Sequence, residues 1–300
     1  MAEYTEITCE TACHKLKRKI PYGWDLNIYR GCEHGCAYCY AMGMNRRNTD
    51  GPFDQDIQVK TNVLERLERE LTSPHWQREV VNLGGVTDSY QPAEAKYKLM
   101  PDIWRLLIKT RTPCILSTKS DLVLRDFDLI AALARVTYVN IAATVTCMDE
   151  AVRQKLEPKA APSQARFEML RAFADTDACT GLHCMPIIPY LTDGEENLDA
   201  LYSRAAWARV DYALPGTLYL RGATRPAFFA FIQKEFPALY EPLTALYKTG
   251  GAGKAYKDGL YQKIDRLKAQ YGVSSGYMAP MKKKLAAAAA AEPVQTSLFE

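Results

Sequence analysis

The sequence predicts an α/β fold: a parallel sheet of strand–helix–strand units that forms an incomplete or complete barrel. Two observations predict it. Apolar, β-branched segments alternate with segments of helical period along most of the chain. The 300 residues, 48% of them hydrophobic, suffice for one large core, and barrel-like α/β folds often use this length for one domain. No apolar run approaches the roughly 18 residues of a membrane span, so no membrane association is expected.

Residues 1–25 form an N-terminal segment of mixed composition, with Cys9, Cys13 and a basic stretch from Lys15 to Lys19. It lacks a basic region followed by an apolar stretch, so a cytoplasmic location is expected. Residues 27–30 then lead into a cysteine-bearing segment. Residues 61–71 carry leucines at helical spacing with charges between them, and Thr61 or Asn62 stands where a cap belongs. Residues 79–83 read as a buried strand ending at Gly84-Gly85. The alternation continues: helix 99–110 after Pro101, strand 114–118, helix 126–135, strand 137–145, helix 163–175, strand 182–188, helix 197–210 and short strand 217–220. Five or six units thus fill a barrel over residues 26–225.

From residue 226 the pattern changes. Segments 226–248 and 254–271, rich in Tyr, Phe, Lys and Leu, read as helices packed on the barrel. Gly250-Gly-Ala-Gly253 separates them, and residues 226–280 form a C-terminal helical extension. Residues 281–300 carry Lys282 to Lys284 and six alanines at 286–291, a low-complexity tether or frayed helix. No internal repeat is evident.

The net charge is +3 and the pI about 8.3. This mild basicity permits a polyanionic partner without demanding one. Arg46-Arg47, Lys15 to Lys19 and Lys282 to Lys284 could contact phosphates or simply be solvated faces. Nine cysteines leave one over if all the others pair. In a reducing compartment a tight group of thiols points to metal instead.

That group is Cys32-Glu-His-Gly-Cys36-Ala-Tyr-Cys39, spaced C-x3-C-x2-C. Three thiolates on one short loop can hold three irons of a [4Fe–4S] cube, leaving the fourth iron open to a small ligand. Gly31 and Gly35 let the backbone wrap closely. The alternative is a structural zinc site completed by His34 or a distant cysteine. Zinc sites usually use two paired ligand sets, and no second C-x2-C occurs.

The run Asn27-Ile-Tyr-Arg-Gly-Cys-Glu-His-Gly-Cys-Ala-Tyr-Cys-Tyr-Ala41 resembles the cluster motif of the radical S-adenosylmethionine (SAM) superfamily. More narrowly, it resembles the branch of spore photoproduct lyase and its DNA repair photolyase-like relatives. Four further segments are similar to that branch, in the same order. They are Gly84-Gly-Val-Thr-Asp-Ser-Tyr-Gln-Pro-Ala-Glu94, Ser117-Thr-Lys-Ser120, Leu156-Glu-Pro158 with Arg166, and Met185-Pro-Ile-Ile-Pro189. The likeness covers roughly residues 15–275.

The resemblance implies a partial (βα)6 barrel of the radical SAM type, a [4Fe–4S] cluster held by Cys32, Cys36 and Cys39, and SAM on the fourth iron. An electron donor such as flavodoxin or ferredoxin is implied too. Reductive cleavage of SAM would give a 5′-deoxyadenosyl radical that abstracts hydrogen from substrate. Tyr38 would pack near adenine. Tyr38 and Tyr40 flank Cys39 as the catalytic tyrosines of the lyase do. Gly84 and Gly85 would admit the methionine part of SAM, or simply form a strand-to-loop turn. Thr87 or Asp88 would replace a glutamate usual in the superfamily. Lys119 and Ser120 would meet the SAM carboxylate and ribose. Glu157 and Arg166 are either cofactor contacts or a structural ion pair.

The lyase also has a cysteine just after its second strand that returns hydrogen to the product radical. Residues 83–88 here contain none, so Cys114 or Cys147 could substitute only if the fold brings one close. Thymine-dimer reversal is therefore not the expected activity. The expected substrate is nucleic-acid-related. The alternatives are a protein or small metabolite, and a non-catalytic metal module that associates with DNA. Finally, Gln295-Thr-Ser-Leu-Phe299 resembles the peptide that docks on the bacterial sliding clamp, with Gln295, Leu298 and Phe299 as its anchors. Leu298 and Phe299 could instead fold back onto the domain.

Overall fold

The computed structural model describes residues 2–17, 22–43 and 51–290. Arg18, Lys19, Arg46-Arg47 and the clamp-like anchors Gln295, Leu298 and Phe299 lie outside the described residues.

Ten strands are described: β1 (Glu3–Ile7), β2 (Cys13–Lys15), β3 (Trp24–Leu26), β4 (Tyr29–Arg30), β5 (Asp56–Lys60), β6 (Val81–Leu83), β7 (Cys114–Thr118), β8 (Val139–Thr144), β9 (Cys179–Ile187) and β10 (Tyr212–Thr217). The main sheet has the order β10-β9-β8-β7-β6-β3-β2. Every pair from β3 through β10 is parallel, and β2 closes the far edge antiparallel to β3. Six parallel strands in chain order, with helices between them and two unjoined edges, make a partial (βα)6 barrel. All six residues of β8 are buried, as expected of a strand covered on both faces. A second sheet, β1-β5-β4, packs beside the cysteine segment.

Three expectations need correction. The last barrel strand is residues 212–217, not 217–220. Pro215 and Gly216 conceal it in the sequence. The ladder shifts register between Pro215 and Thr217, and β10 lies at the sheet edge, where a residue without an N–H is tolerated. The first barrel strand, β3, has three residues, too few for a periodic signal. Helix Glu150–Leu156 is an element beyond those the sequence predicts. Its start is set by Asp149, whose side chain accepts from the N–H groups of Ala151 and Val152.

Most of the alanine-rich stretch is ordered helix, Met278–Ala290. Buried Met281 packs with Val80, Ile115, Tyr138, Cys179 and Tyr212. These residues stand at or near the N-terminal ends of the barrel strands, so this helix covers the lower mouth. The upper mouth, at the C-terminal strand ends, holds the site.

A candidate active site at the upper mouth of the barrel

The cysteine segment follows β4 and is pinned from four directions. The Cys32 N–H donates to Phe53 O (3.0 Å) and the Ala37 N–H to Leu156 O (2.9 Å). The Glu33 N–H donates to Gln91 Oε1 (2.9 Å), and the Thr224 hydroxyl to Cys39 O (2.9 Å). Gly31 opens the segment at φ +79°, and a Cβ there would stand 2.5 Å from Asp56 O. The turn therefore requires glycine because β5 lies against it.

Cys32, Cys36 and Cys39 line one cavity of about 490 Å³, a size suited to a cofactor and part of a substrate. Among the described residues they are the only thiols on it. Burial raises all three thiols, Cys32 to about 12 and Cys36 well above its usual value. Negative charge adds to this, from Asp88 and then Cys39 for Cys32, and from Glu157 and then the other two cysteines for Cys36. A bound metal would favour their thiolate form. Among the described residues no three His, Cys, Asp or Glu side chains converge as ligands of a single ion. A cube binds its thiolates at separate corners and needs no such convergence. The donor set and the adjoining cavity thus fit an iron–sulfur cluster with a bound small molecule.

Gly84, Gly85, Thr87, Asp88, Lys119 and Tyr38 share that cavity. Asp88 is a structural hub. Its carboxylate accepts from His34 Nε2 (3.0 Å), the Thr118 hydroxyl (2.8 Å) and the N–H groups of Tyr90 and Lys119 (2.8 Å each). Burial disfavours its charge, but His34 and these donors outweigh burial and bring it to about 2. Thr87 donates to Gly31 O (2.6 Å) and accepts from Gln91 Nε2 (2.9 Å). Segment 84–94 therefore clamps the cysteine loop to β7.

Gly84 and Gly85 form the turn out of β6. A Cβ on Gly85 would stand 2.4 Å from Asp25 Oδ2, so this glycine makes room for a buried carboxylate. Lys119 Nζ lies 5.7 Å from the Tyr38 ring centroid. Burial disfavours its ammonium, yet the negative charges of Cys36 and Glu157 outweigh burial and raise its pKa.

Ser120, Glu157 and Arg166 do not line the cavity. Ser120 Oγ accepts from the Leu122 N–H (3.2 Å) and caps the turn after β7. Arg166 and Glu157 form a buried ion pair at 2.6 Å, and Glu157 also accepts from the Tyr38 hydroxyl. Burial and this carboxylate push the Tyr38 phenol well above its usual value. Tyr40 is 57% exposed, and its hydroxyl donates to Gly85 O. Neither Cys114 nor Cys147 reaches the cavity. Cys114 begins β7 at the lower end, and Cys147 Sγ points to Asp149 O.

Sequence reasoning missed His183 on β9, which lines the cavity. Its ring nitrogens meet Ser117 Oγ (3.1 Å) and Tyr212 Oη (3.2 Å), and Tyr212 donates onward to Asn140 Oδ1 (3.0 Å). A lone histidine within a strand carries no sequence signal. Gln91 belongs to segment 84–94, but its link to Glu33 and Gly31 appears only in three dimensions.

Comparison with known proteins agrees with this geometry. The radical SAM superfamily profile matches residues 26–201. An uncharacterised protein of Mycobacterium tuberculosis is 34% identical over 307 residues, spanning 99% of this chain and 88% of its own. An uncharacterised protein of Methanocaldococcus jannaschii is 29% identical over 178 residues, or 59% of this chain and 65% of its own. Among solved structures, spore photoproduct lyase with bound AdoMet and dinucleoside spore photoproduct has a TM-score of 0.69 at 14% identity, covering 91% of this chain and 82% of that one. Streptococcus suis SuiB bound to SAM has a TM-score of 0.52 at 12% identity, covering 84% and 49%. At such identities these structures establish the fold and nothing finer. The profile match, which spans more than half of the chain and includes the three-cysteine loop, settles the family: the chain belongs to the radical SAM superfamily, whose chemistry runs on SAM and an iron–sulfur cluster.

Proposed function

We propose that this protein is a radical SAM enzyme of the spore photoproduct lyase-like branch, acting on a nucleic-acid-related substrate. The observation that carries the reading is the isolation of Cys32, Cys36 and Cys39 as the cavity's only described thiols. They would hold a [4Fe–4S] cluster, which with SAM would supply reductive cleavage of the sulfonium for hydrogen abstraction from substrate.

The chain's own residues hold and shield this chemistry. Asp88, Gln91, Thr224 and the Leu156 carbonyl fix the loop that bears the thiols. Lys119 places a positive charge near Cys36 and offsets the negative charge of a thiolate-bound cluster. Gly84 and Gly85 keep one wall free of side chains. The Tyr38 hydroxyl is committed to Glu157, so Tyr38 offers its ring face, not a mobile hydrogen. Tyr22, Tyr40 and Tyr219 line the cavity, and the last two are 57% and 58% exposed. Such aromatic faces suit the stacking of bases. This favours a nucleotide over a small aliphatic metabolite.

The absence of a further cysteine from the described lining argues against a protein thiol as the closing hydrogen donor. Thymine-dimer reversal by the lyase's route is accordingly not proposed. The test is anaerobic incubation of reduced, iron-loaded protein with SAM, reading 5′-deoxyadenosine. Cys36→Ala abolishes the product, whereas Cys114→Ala and Cys147→Ala retain it. Product from Cys36→Ala would overturn the ligand assignment. Deuterium transfer into 5′-deoxyadenosine from a labelled nucleic-acid fraction tests the substrate class, and transfer only from a protein fraction would reject it.

A further inference from the structure

Beside the cavity, two stretches of chain meet around one glycine. Residues 219–225 leave β10, and residues 247–257 join the two C-terminal helical regions. Tyr219 pairs with Gly251 as an isolated antiparallel bridge, and the Leu220 N–H donates to Gly250 O (2.7 Å). Arg225 fastens the pair from the side, donating to Thr249 O (2.8 Å) and Tyr247 O (2.6 Å). A Cβ on Gly251 would lie 3.6 Å from the Tyr219 ring and 3.7 Å from Lys257 Nζ. An exposed aromatic face and an ammonium thus converge on the same spot at the cavity rim.

These two stretches contain Arg221, Arg225, Lys248, Lys254 and Lys257 and no acidic residue. Arg221, Lys248 and Lys254 are exposed, and none of the five forms a described ion pair. Lys254 and Lys257 also open helix Lys254–Tyr271, whose first turn has no acid. Cations there oppose the helix dipole. The arrangement disfavours the isolated protein and suits an anionic partner.

We propose that Tyr219, Arg221, Lys254 and Lys257 form the contact for a nucleic-acid strand whose reacting nucleotide enters the cavity. Tyr219 stacks on a flanking base, and the cations meet the phosphates on either side. This rests on the nucleic-acid reading of the substrate and adds the surface that holds it.

The experiment is a fluorescence-anisotropy titration of the full chain with a labelled single-stranded oligonucleotide at several salt concentrations. It compares Arg221→Glu/Lys254→Glu/Lys257→Glu, Tyr219→Ala, Tyr219→Phe and the control Lys282→Glu/Lys283→Glu, which lies on the lower-mouth helix. Melting curves check that each variant is folded. The expected result is affinity at least about tenfold weaker for the triple variant, with the slope of log K against log salt reduced by about one per lost contact. Tyr219→Ala weakens binding about tenfold and Tyr219→Phe does not. Equal binding by the triple variant and wild type, or an equal loss in the control, removes the rim assignment and leaves the substrate reading intact. No binding by wild type at low salt overturns both.

Discussion

Arg166 and Glu157 stand 2.6 Å apart, and neither side chain is exposed to solvent. Arg166 also donates to Thr144 O (2.7 Å) and Ala161 O (2.8 Å). The pair therefore joins β8 to the loop beyond helix Glu150–Leu156. Through the Tyr38 hydroxyl it also supports the cysteine loop. Burial disfavours the Glu157 carboxylate, but Arg166 and Lys119 outweigh it and lower its pKa. Removing one member of such a pair leaves an uncompensated buried charge. Arg166→Leu is expected to cost about 3–5 kcal/mol, and Arg166→Leu/Glu157→Gln less than the sum of the single changes. Urea unfolding of the three variants measures this. Strict additivity would show that the two residues do not act as a unit.

Gly85→Ala and Gly259→Ala should shift stability in opposite directions. At Gly85 the new methyl stands 2.4 Å from Asp25 Oδ2 and 2.6 Å from Asp25 Cγ. Asp25 is buried and accepts from Asn82 Nδ2 (2.8 Å), so it has little room to retreat. Overpacking of this kind costs about 1–3 kcal/mol. Gly259 lies inside helix Lys254–Tyr271 and a Cβ there meets nothing within 4 Å. Alanine at that position gains about 0.5–1 kcal/mol. Thermal melting decides, and an unchanged midpoint for Gly85→Ala would refute the close approach.

The elements legible in the sequence were those with length and period. Strand 114–118 and the neighbouring helices carry enough residues for apolar spacing to be read. β3 and β10 were missed or displaced because three residues show no alternation and Pro215-Gly216 mimics a turn. The three-cysteine group was legible because its members stand close together in the sequence. The surrounding support was not. Gln91 reaches Glu33 across 58 positions, and Asp88 reaches Thr118 across 30. Nothing local marks a carboxylate as a structural hub. At Ser120 a hydroxyl after a strand end fits both a ribose contact and a cap, and only the Leu122 N–H that donates to it identifies the cap.

His183 supplies a pH-dependent prediction. Tyr212 donates to Asn140 Oδ1, so its oxygen accepts from His183 Nε2–H, leaving Nδ1 to accept from the Ser117 hydroxyl. The network satisfies a neutral ring. Burial, and then the positive charge of Lys119, lowers His183 from 6.5 to about 4. The unfolded chain thus takes a proton at a pH where the folded protein does not. The contribution is fully present above about pH 6.5. It is lost as pH falls toward about 4, at about 1.4 kcal/mol per pH unit. His14 is lowered too, chiefly by burial, and adds a slope of the same sign. Asp88 and Glu157 are lowered as well and add slopes of the same sign toward the acid end, in both proteins alike. Comparison with His183→Gln therefore isolates the ring. The variant should be less stable at pH 7 and lose less stability between pH 6.5 and 4.5 than wild type. Urea midpoints across that interval provide the measurement, and parallel pH profiles for the two proteins would rule out a neutral His183.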